Sequence, residues 1–239
     1  MTCLDLTLPT PAENLACAEA LLDCCEADRR LEVLRFWAPA QAFVALGYGN
    51  RAATEADLAA CAARGVPVLR RVSGGGAVLQ GPGCLNYTLV LQVARAIELQ
   101  SVVSANAYVL ERHRRAIEAL LGSPVQVQGR TDLAIDERKF SGNAQRRKRH
   151  TVLLHGTFLV GLDLELVEAV LRRPSREPAY RAARPHREFL TNLSVSAAAI
   201  KQALRRAWGA DEPLAAPPLE AVGRLARDKY AQAAWSLRL

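Results

Sequence analysis

Aromatic residues are scarce in this 239-residue sequence, which has five tyrosines, five phenylalanines and three tryptophans. Readers of single-stranded nucleic acid stack bases on aromatic faces, and no recognised base-reading motif occurs, so the net charge of +7 does not by itself indicate nucleic-acid binding. That charge better suits an acidic protein or a nucleotide. No run approaches the ~20 apolar residues needed to cross a bilayer, so no membrane association is expected. The amino terminus carries Asp5, Pro9 and Pro11 and lacks a basic stretch followed by a long apolar one. It is therefore not a secretory signal, and the cytoplasm is the expected compartment. The six cysteines (Cys3, Cys17, Cys24, Cys25, Cys61 and Cys84) form no CxxC pairs and are too sparse for a disulfide framework. Those at 17, 24 and 25 fall on a predicted helix, where they are expected to act as small buried hydrophobes. No internal repeat is visible.

What is present is the composition of a soluble globular protein, half apolar and 23% charged, with enough length for one domain over residues 1–239. The chain is organised around Arg70-Arg71-Val72-Ser73-Gly74-Gly75-Gly76-Ala77-Val78-Leu79, which lies between two apolar runs. Three successive glycines cost backbone entropy, so something must approach that backbone closely or force φ > 0 there. One reading is an anion-binding concavity of amides from Gly74 to Gly76, with Arg70 and Arg71 as countercharge. The other is a tight hairpin between two strands.

A second segment decides between them: Gly129 to Gln145, followed by Leu154-His155-Gly156-Thr157. RRVSGGGAVLQGPGCLNY (70–87), GRTDLAI (129–135), RKFSGNAQ (138–145) and LHGTFLV (154–160) resemble, in order, the signatures of the lipoate–protein ligase A family, related to biotin ligases and octanoyltransferases. ENLACAEALL (13–22) and LRFW (34–37) extend the likeness to the family's opening helix and strand.

Along the chain, Thr10-Pro11-Ala12-Glu13 reads as a capping box opening a helix to about Ala27, with Leu15, Ala18, Leu22 and Cys25 at helical spacing. Strands are expected at Leu31–Trp37, Ala42–Leu46, from Val66, at Ala77–Gln80, Leu85–Val93, Val125–Val127, Asp132–Ile135, Arg138–Gln145 and Val152–Val160. Helices are expected at Glu55–Ala63, Ser101–Leu121, Leu164–Leu171, Ser194–Trp208 and Leu219–Ala233. The Ser101–Leu121 helix shows Val103, Ala107, Leu110, Ile117 and Leu121 as its apolar stripe. Arg172 to Arg187, rich in proline and arginine, reads as loop. Strands and helices do not alternate regularly, which points to an α+β fold with a mixed, largely antiparallel central sheet flanked by helices.

Joining a carboxylic acid to an amine in water requires the acid oxygen to become a leaving group, which adenylation by ATP accomplishes. A lysine and a glycine-rich anion pocket suit that task. By the resemblance, the chain is an ATP-dependent lipoate–protein ligase that makes lipoyl-AMP and passes the lipoyl group to a lysine of an acceptor domain, such as a 2-oxoacid dehydrogenase E2 or the glycine cleavage H protein. Lys139 matches the family's lysine and is expected to touch both the acid carbonyl and the α-phosphate. Arg71, Ser73, Gly74, Gly75, Gly76, Ala77, Val78, Leu79, Asn86, Ser141 and Gly142 would lie along the ATP or lipoyl-AMP. Asp132 would either orient Lys139 or hold Mg²⁺. His155, Gly156 and Thr157 would line the lipoyl pocket, although a lone strand histidine is equally a structural one.

Two departures stand out. Many relatives carry histidine and aspartate where this chain has Gln80-Gly81, and Cys84 stands at a familiar asparagine position. Long bacterial ligases also carry a further carboxy-terminal domain, so with the sequence ending at Leu239 the expectation is either a separate accessory subunit or a compact member working alone. The alternative activity is an octanoyl or lipoyl transferase working through a cysteine thioester without ATP. Its cysteine would precede the lysine strand, where Gln126 to Ile135 has none, and Cys84 is the only thiol near the motifs. Biotin ligase ranks lower, because its glycine loop alternates with arginines, and a non-enzymatic scaffold is disfavoured by the intact Lys139 segment. The run Arg146-Arg147-Lys148-Arg149 is expected either as a solvated hairpin tip or as a docking surface for an acidic partner.

Overall fold

The computed structural model describes residues 1–239. It begins with a strand, β1 (Thr2–Asp5), that the sequence pattern does not announce. Thr10 and Glu13 then close the expected capping box, and α1 (Pro11–Ala27) runs to its expected end. Strands β2 (Val33–Trp37) and β3 (Phe43–Leu46) follow. The single helix expected at Glu55–Ala63 is two, α2 (Ala52–Glu55) and α3 (Leu58–Ala63). Ala56 is extended and bridges to Leu171, and Asp57 restarts the helix by accepting from the Ala60 amide.

Next come β4 (Val68–Arg70), β5 (Val78–Gln80) and β6 (Cys84–Gln92), two 3₁₀ turns, and α4 (Val102–Leu121), capped by Ser101 and closed by Gly122 at φ 66°. An antiparallel series of β7 (Gln126–Gln128), β8 (Asp132–Ile135), β9 (Arg138–Arg147) and β10 (Thr151–Leu159) leads into α5 (Leu164–Val170). The stretch read as loop holds a 3₁₀ turn at Ala179–Arg181 and α6 (His186–Phe189). The chain ends with α7 (Ala197–Trp208), the edge strand β11 (Glu212–Pro213), α8 (Leu219–Leu225), a π turn over Ala226–Tyr230, and α9 (Ala233–Ser236). The last expected helix thus widens into the π turn and breaks at Gln232, which is extended.

The fold is the expected α+β type. Eight strands form one sheet in the order β11-β1-β2-β6-β10-β9-β8-β7, parallel only at the β11-β1-β2 edge. A second sheet has the order β4-β3-β5. Register divides the large sheet's side chains cleanly, because alternate residues face opposite ways. Leu34, Phe36, Tyr87, Leu89 and Phe158 pack under α4 and α7 in the larger core. Val33, Trp37, Val90 and Leu153 point the other way, against α1 and α8. Phe158 is wholly buried, and truncating such a residue to alanine costs about 3–5 kcal/mol. The same second face carries Asn86, His155 and Thr157, and these are the residues that meet the small sheet.

Two expectations about side chains are corrected. The buried face of α4 is Ala105, Val109, Leu110, His113 and Ile117, whereas Val103 and Ala107 are exposed. The stripe slipped because His113 takes a core position that apolar spacing alone does not reveal. Cys17 and Cys25 are buried, but Cys24 lies at the half-buried edge of α1. No helix is long and apolar enough to cross a membrane.

His113 sits in the core under Tyr87, accepting from Trp208 Nε1 at 2.8 Å, with no partner for Nδ1. Burial, aided by nearby Arg112, pushes its pKa down to about 3. The unfolded chain takes up this proton near pH 6.5 and the folded chain does not, so stability is full above 6.5 and declines as the pH falls toward 3. Thermal unfolding followed from pH 7.5 to 4.5 is expected to show a falling midpoint. In His113→Gln, which keeps an acceptor for Trp208, that slope should flatten.

Candidate functional site

The two sheets enclose a cavity of about 280 Å³. β4 and β5 both pair with β3 rather than with each other, so the chain leaving Arg70 has to cross the end of β3 before it returns at Val78. The glycine stretch is that crossing and not a hairpin. Gly75 has φ 88°, a conformation that disfavours any side chain, and the backbone of Gly47 lies so close to the Gly75 carbonyl that a Cβ at 47 would overlap it. The amides of Gly74, Gly75 and Gly76 have no partner within the chain. Those of Gly75 and Gly76 belong to residues that line the cavity.

The two arginines do not act as simple countercharges. Arg70 is fully buried and donates to the carbonyls of Gly47, Tyr48, Asn50, Trp235 and Ser236. Arg71 donates to the carbonyls of Ala45 (2.8 Å), Gly74 (2.6 Å) and Gly76 (2.8 Å) and, through Nε, to Ser73 Oγ (3.1 Å). Burial lowers the Arg71 pKa to about 10, which leaves it charged at neutral pH. Arg70 is spent on backbone carbonyls outside the cavity, whereas Arg71 clamps the loop and still brings positive charge to the cavity wall.

Lys139 enters from β9. The two-residue turn Asp136-Glu137, both at positive φ, joins β8 to β9, and a bulge opposite Leu133 and Ala134 offsets their register. Lys139 Nζ thereby lies 2.8 Å from Asp132 Oδ1. The other carboxylate oxygen accepts from Tyr180 Oη at 2.8 Å. Gly142 makes space for the lysine, since a Cβ there would sit 2.7 Å from both Lys139 Cε and Nζ. Asp132 is thus placed to orient Lys139. For magnesium, it is the only carboxylate in the cavity wall, and both its oxygens are already engaged.

The sheet floor completes the site. His155 is hydrogen-bonded to Ser73 Oγ, and burial plus the charge of Arg71 lower its pKa to about 3, so it is neutral. The Ser73 hydroxyl accepts from Arg71 Nε and so links that guanidinium to the imidazole. Thr157, Asn86 and Gln80 form a closed hydrogen-bonded triangle. Asn143 accepts from Tyr87 Oη at 2.8 Å and donates to the Thr131 carbonyl at 2.7 Å, in space that Gly156 leaves free. Of the residues expected in the site, Arg71, Gly75, Gly76, Ala77, Val78, Leu79, Asn86, Asp132, Lys139, Ser141, Gly142, His155, Gly156 and Thr157 line the cavity. Ser73 and Gly74 stand behind it, holding Arg71 and His155.

Sequence patterning missed the fourth wall. The segment read as irregular loop folds over the cavity and contributes Arg176, Arg181, His186 and Phe189 to its lining, while its Tyr180 grips Asp132 from outside the lining. It is fastened where Ser175 Oγ donates to Glu55, Arg138 donates to the Leu190 carbonyl, and the Thr191 amide donates to the Lys139 carbonyl. The one available signal was its length without periodicity, a common mark of functional loops. The cavity wall thus carries Arg71, Arg130, Lys139, Arg176 and Arg181 against a single carboxylate, and suits an anion. Apolar stretches flank that charge, with Leu15, Trp37 and Val78 on one side and Leu162, Val167 and Leu171 on another. No thiol lines it. Cys84 is buried behind the wall, in the core cluster that also holds Leu162, Val167 and Leu171, with its pKa raised by burial to about 12.

Comparison with known proteins gives the following. Residues 10–207 match the family model of the lipoyl protein ligase A/B catalytic domain. The Mycoplasma pneumoniae protein named "Probable lipoate-protein ligase A" is 34% identical over 155 residues, covering 64% of this chain and 43% of that one. The chain thus spans less than half the length of this relative. The octanoyltransferase LipM of an Exiguobacterium species is 27% identical over 229 residues, covering 87% of this chain and 80% of that one. A solved structure of a bi-partite lipoate protein ligase and its E2 lipoyl domain from Thermoplasma acidophilum superposes with a TM-score of 0.82 at 24% identity, over 99% of this chain and 95% of that one. That likeness shows a common fold.

The two glycines make separable predictions. Gly142→Ala meets only the flexible end of Lys139, so its unfolding midpoint should stay close to wild type while the lysine leaves Asp132. Gly156→Ala meets Asn143 and the buried Tyr87 ring, and should cost the ~1–3 kcal/mol of an overpacked core. Equal midpoints for the two variants would contradict this geometry.

Proposed function

We propose, from the premise that the chain belongs to the lipoyl protein ligase A/B catalytic-domain family, that it is an ATP-dependent lipoate–protein ligase. In the first step a lipoate carboxylate oxygen attacks the α-phosphorus of ATP and pyrophosphate leaves. In the second, the amine of an acceptor lysine attacks the lipoyl carbonyl, AMP leaves, and the amine gives up a proton. Both steps gather negative charge around one carbonyl and one phosphate. A compact ammonium on a long stem follows that charge from the first step to the second.

The observation that carries the proposal is the placement of Lys139, 2.8 Å from Asp132, in the cavity lined by the unpaired glycine-loop residues. Lys139 would neutralise the carbonyl and α-phosphate, the amides of Gly75 and Gly76 would donate to phosphate oxygens, and the neutral His155 and the apolar wall would receive the acyl chain. The acceptor would be a lipoyl domain of the E2 or H-protein kind. The bi-partite Thermoplasma protein gives precedent for a separate accessory subunit.

The octanoyltransferase relative supports a second reading, acyl transfer through a cysteine thioester. Such a nucleophile must be a thiolate within reach of the acyl carbonyl. Cys84 does not line the cavity, and burial raises its pKa to about 12, which favours the ligase.

Pyrophosphate release from ATP with lipoate, octanoate or biotin as the only variable tests the reaction and its acid. Lys139→Ala is expected to lower lipoate-dependent ATP–pyrophosphate exchange by about 10²–10³, as for loss of one transition-state charge stabiliser. Exchange at the wild-type rate in that variant would refute the role given to Lys139. Cys84→Ser should keep most of the lipoylation activity, and abolition of transfer would favour the thioester route.

A further inference from the structure

Outside the cavity, cations from three separate segments converge on two aromatic rings. Tyr48, at the end of β3, and Trp235, on α9, meet edge to face with centroids 6.0 Å apart. The Arg238 guanidinium lies 4.2 Å from the Tyr48 ring and 4.3 Å from the Trp235 ring. Arg146, from β9, lies 5.6 Å from the same Tyr48 ring, and the Lys229 ammonium is 4.3 Å from Trp235. Only Lys229 has an acidic partner, Glu19 at 2.8 Å. Neither Arg146 nor Arg238 belongs to any ion pair of the chain, and both are exposed. Beneath them lies the buried charge of Arg70.

The basic run on the β9–β10 hairpin is divided by the fold. Arg147 donates to the carbonyls of Leu99 and Ser101, Lys148 pairs with Asp23 at 2.6 Å, and His150 is bonded to Arg29. Arg146 instead joins the aromatic platform, and the platform is continuous with the cavity rim. Ala144, which lines the cavity, and Arg146 lie on one face of β9, because residues two apart share a face. The Tyr48 amide donates to the Ser73 carbonyl at 2.8 Å, tying the platform to the glycine loop.

A protein that delivers an amine here brings a positive charge toward a wall that already carries four arginines and a lysine. Carboxylates on its surface beside the reacting lysine would favour that approach. We propose that Arg146 and Arg238, held on Tyr48 and Trp235, form the docking surface for an acidic protein domain that presents its acceptor lysine to the cavity. This rests on the acyl-transfer reading above. Like-charged guanidinia stacked on rings in the absence of an anion are repulsive, and carboxylates of the partner relieve that repulsion as they dock.

The test uses the full chain and an apo E2 lipoyl domain as acceptor. Arg146→Glu/Arg238→Glu should lower kcat/KM for the domain about tenfold or more in low salt and leave lipoate-dependent ATP–pyrophosphate exchange unchanged. Raising salt should bring the wild type down toward the variant, because exposed charges are screened over about 8–10 Å at physiological ionic strength. Arg206→Glu, an exposed charge on α7 across the large sheet, should leave transfer at the wild-type level. If the double reversal unfolds, the neutral Arg146→Gln/Arg238→Gln pair replaces it and should show a smaller loss in the same direction. Unchanged transfer in the folded double variant overturns the surface, as does an equal loss in Arg206→Glu. A binding titration with the domain's acceptor lysine changed to arginine separates this proposal from the reaction. Should the wild type fail to exchange pyrophosphate or transfer a lipoyl group, the ligase reading falls alone if the domain still binds and the double variant does not bind it. Absence of binding by the wild type overturns the surface.

Discussion

A lysine that has to meet an anion must be held in place without being neutralised, and the pair of Lys139 with Asp132 meets that constraint by dividing the carboxylate. One oxygen faces the ammonium at 2.8 Å and the other accepts from Tyr180. Burying both charges fully would have cost several kcal/mol in desolvation. Here the acid is buried and the lysine is about one-fifth exposed toward the cavity, so the ammonium keeps a free side for a substrate. The missing side chain of Gly142 and the bulge of the β8–β9 pair exist in the same few residues because the lysine stem needs that volume. The site's other parts are arranged around this ammonium.

Elsewhere the fold uses arginine in place of regular structure. Arg35, Arg70 and Arg71 are all buried, and none of them faces a carboxylate. Arg70 donates to the Gly47–Asn50 turn and the carboxy-terminal segment and Arg71 to the glycine crossing, all irregular backbone, while Arg35 ties the Leu6 carbonyl to Asn14 in the first turn of α1. A buried carbonyl without a donor is costly, and a charged donor makes a bond about twice as strong as a neutral one. Irregular backbone can therefore be fixed close to the cavity, which is what an anion site made of free amides requires.

The sequence made some of this legible and hid the rest for physical reasons. Local chemistry was readable: Thr10 and Glu13 define the start of α1, Ser101 and Gly122 bound α4, and Gly129 to Gln145 marked the lysine strand. Long-range pairing was not. β1 is four residues whose parallel partner lies some thirty positions on, and the glycine stretch left a hairpin open as one reading because nothing local says that β3 lies between β4 and β5. Arg71 was recognised as a site residue, yet its use as a clamp depends on carbonyls at Ala45, Gly74 and Gly76. Tyr180 lies 48 positions from Asp132 in a segment without periodicity, so only the folded chain reveals their bond.

That bond links the loop to the chemistry. Residues 172–191 are fastened at Glu55 on one side and at Arg138 and the Lys139 backbone on the other, while over the cavity the contact with the reacting centre is Tyr180 on Asp132. The proximity of Asp132 and burial together raise the Tyr180 pKa well above its usual value, with burial the larger cause, so the phenol stays a donor throughout the neutral range. An anion that draws the Lys139 ammonium toward itself leaves more of the Asp132 charge uncompensated. The hydrogen bond from Tyr180 then strengthens, since bonds to a less neutralised carboxylate are stronger. The Tyr180–Asp132 bond is thus the point at which a change at Lys139 would reach the loop.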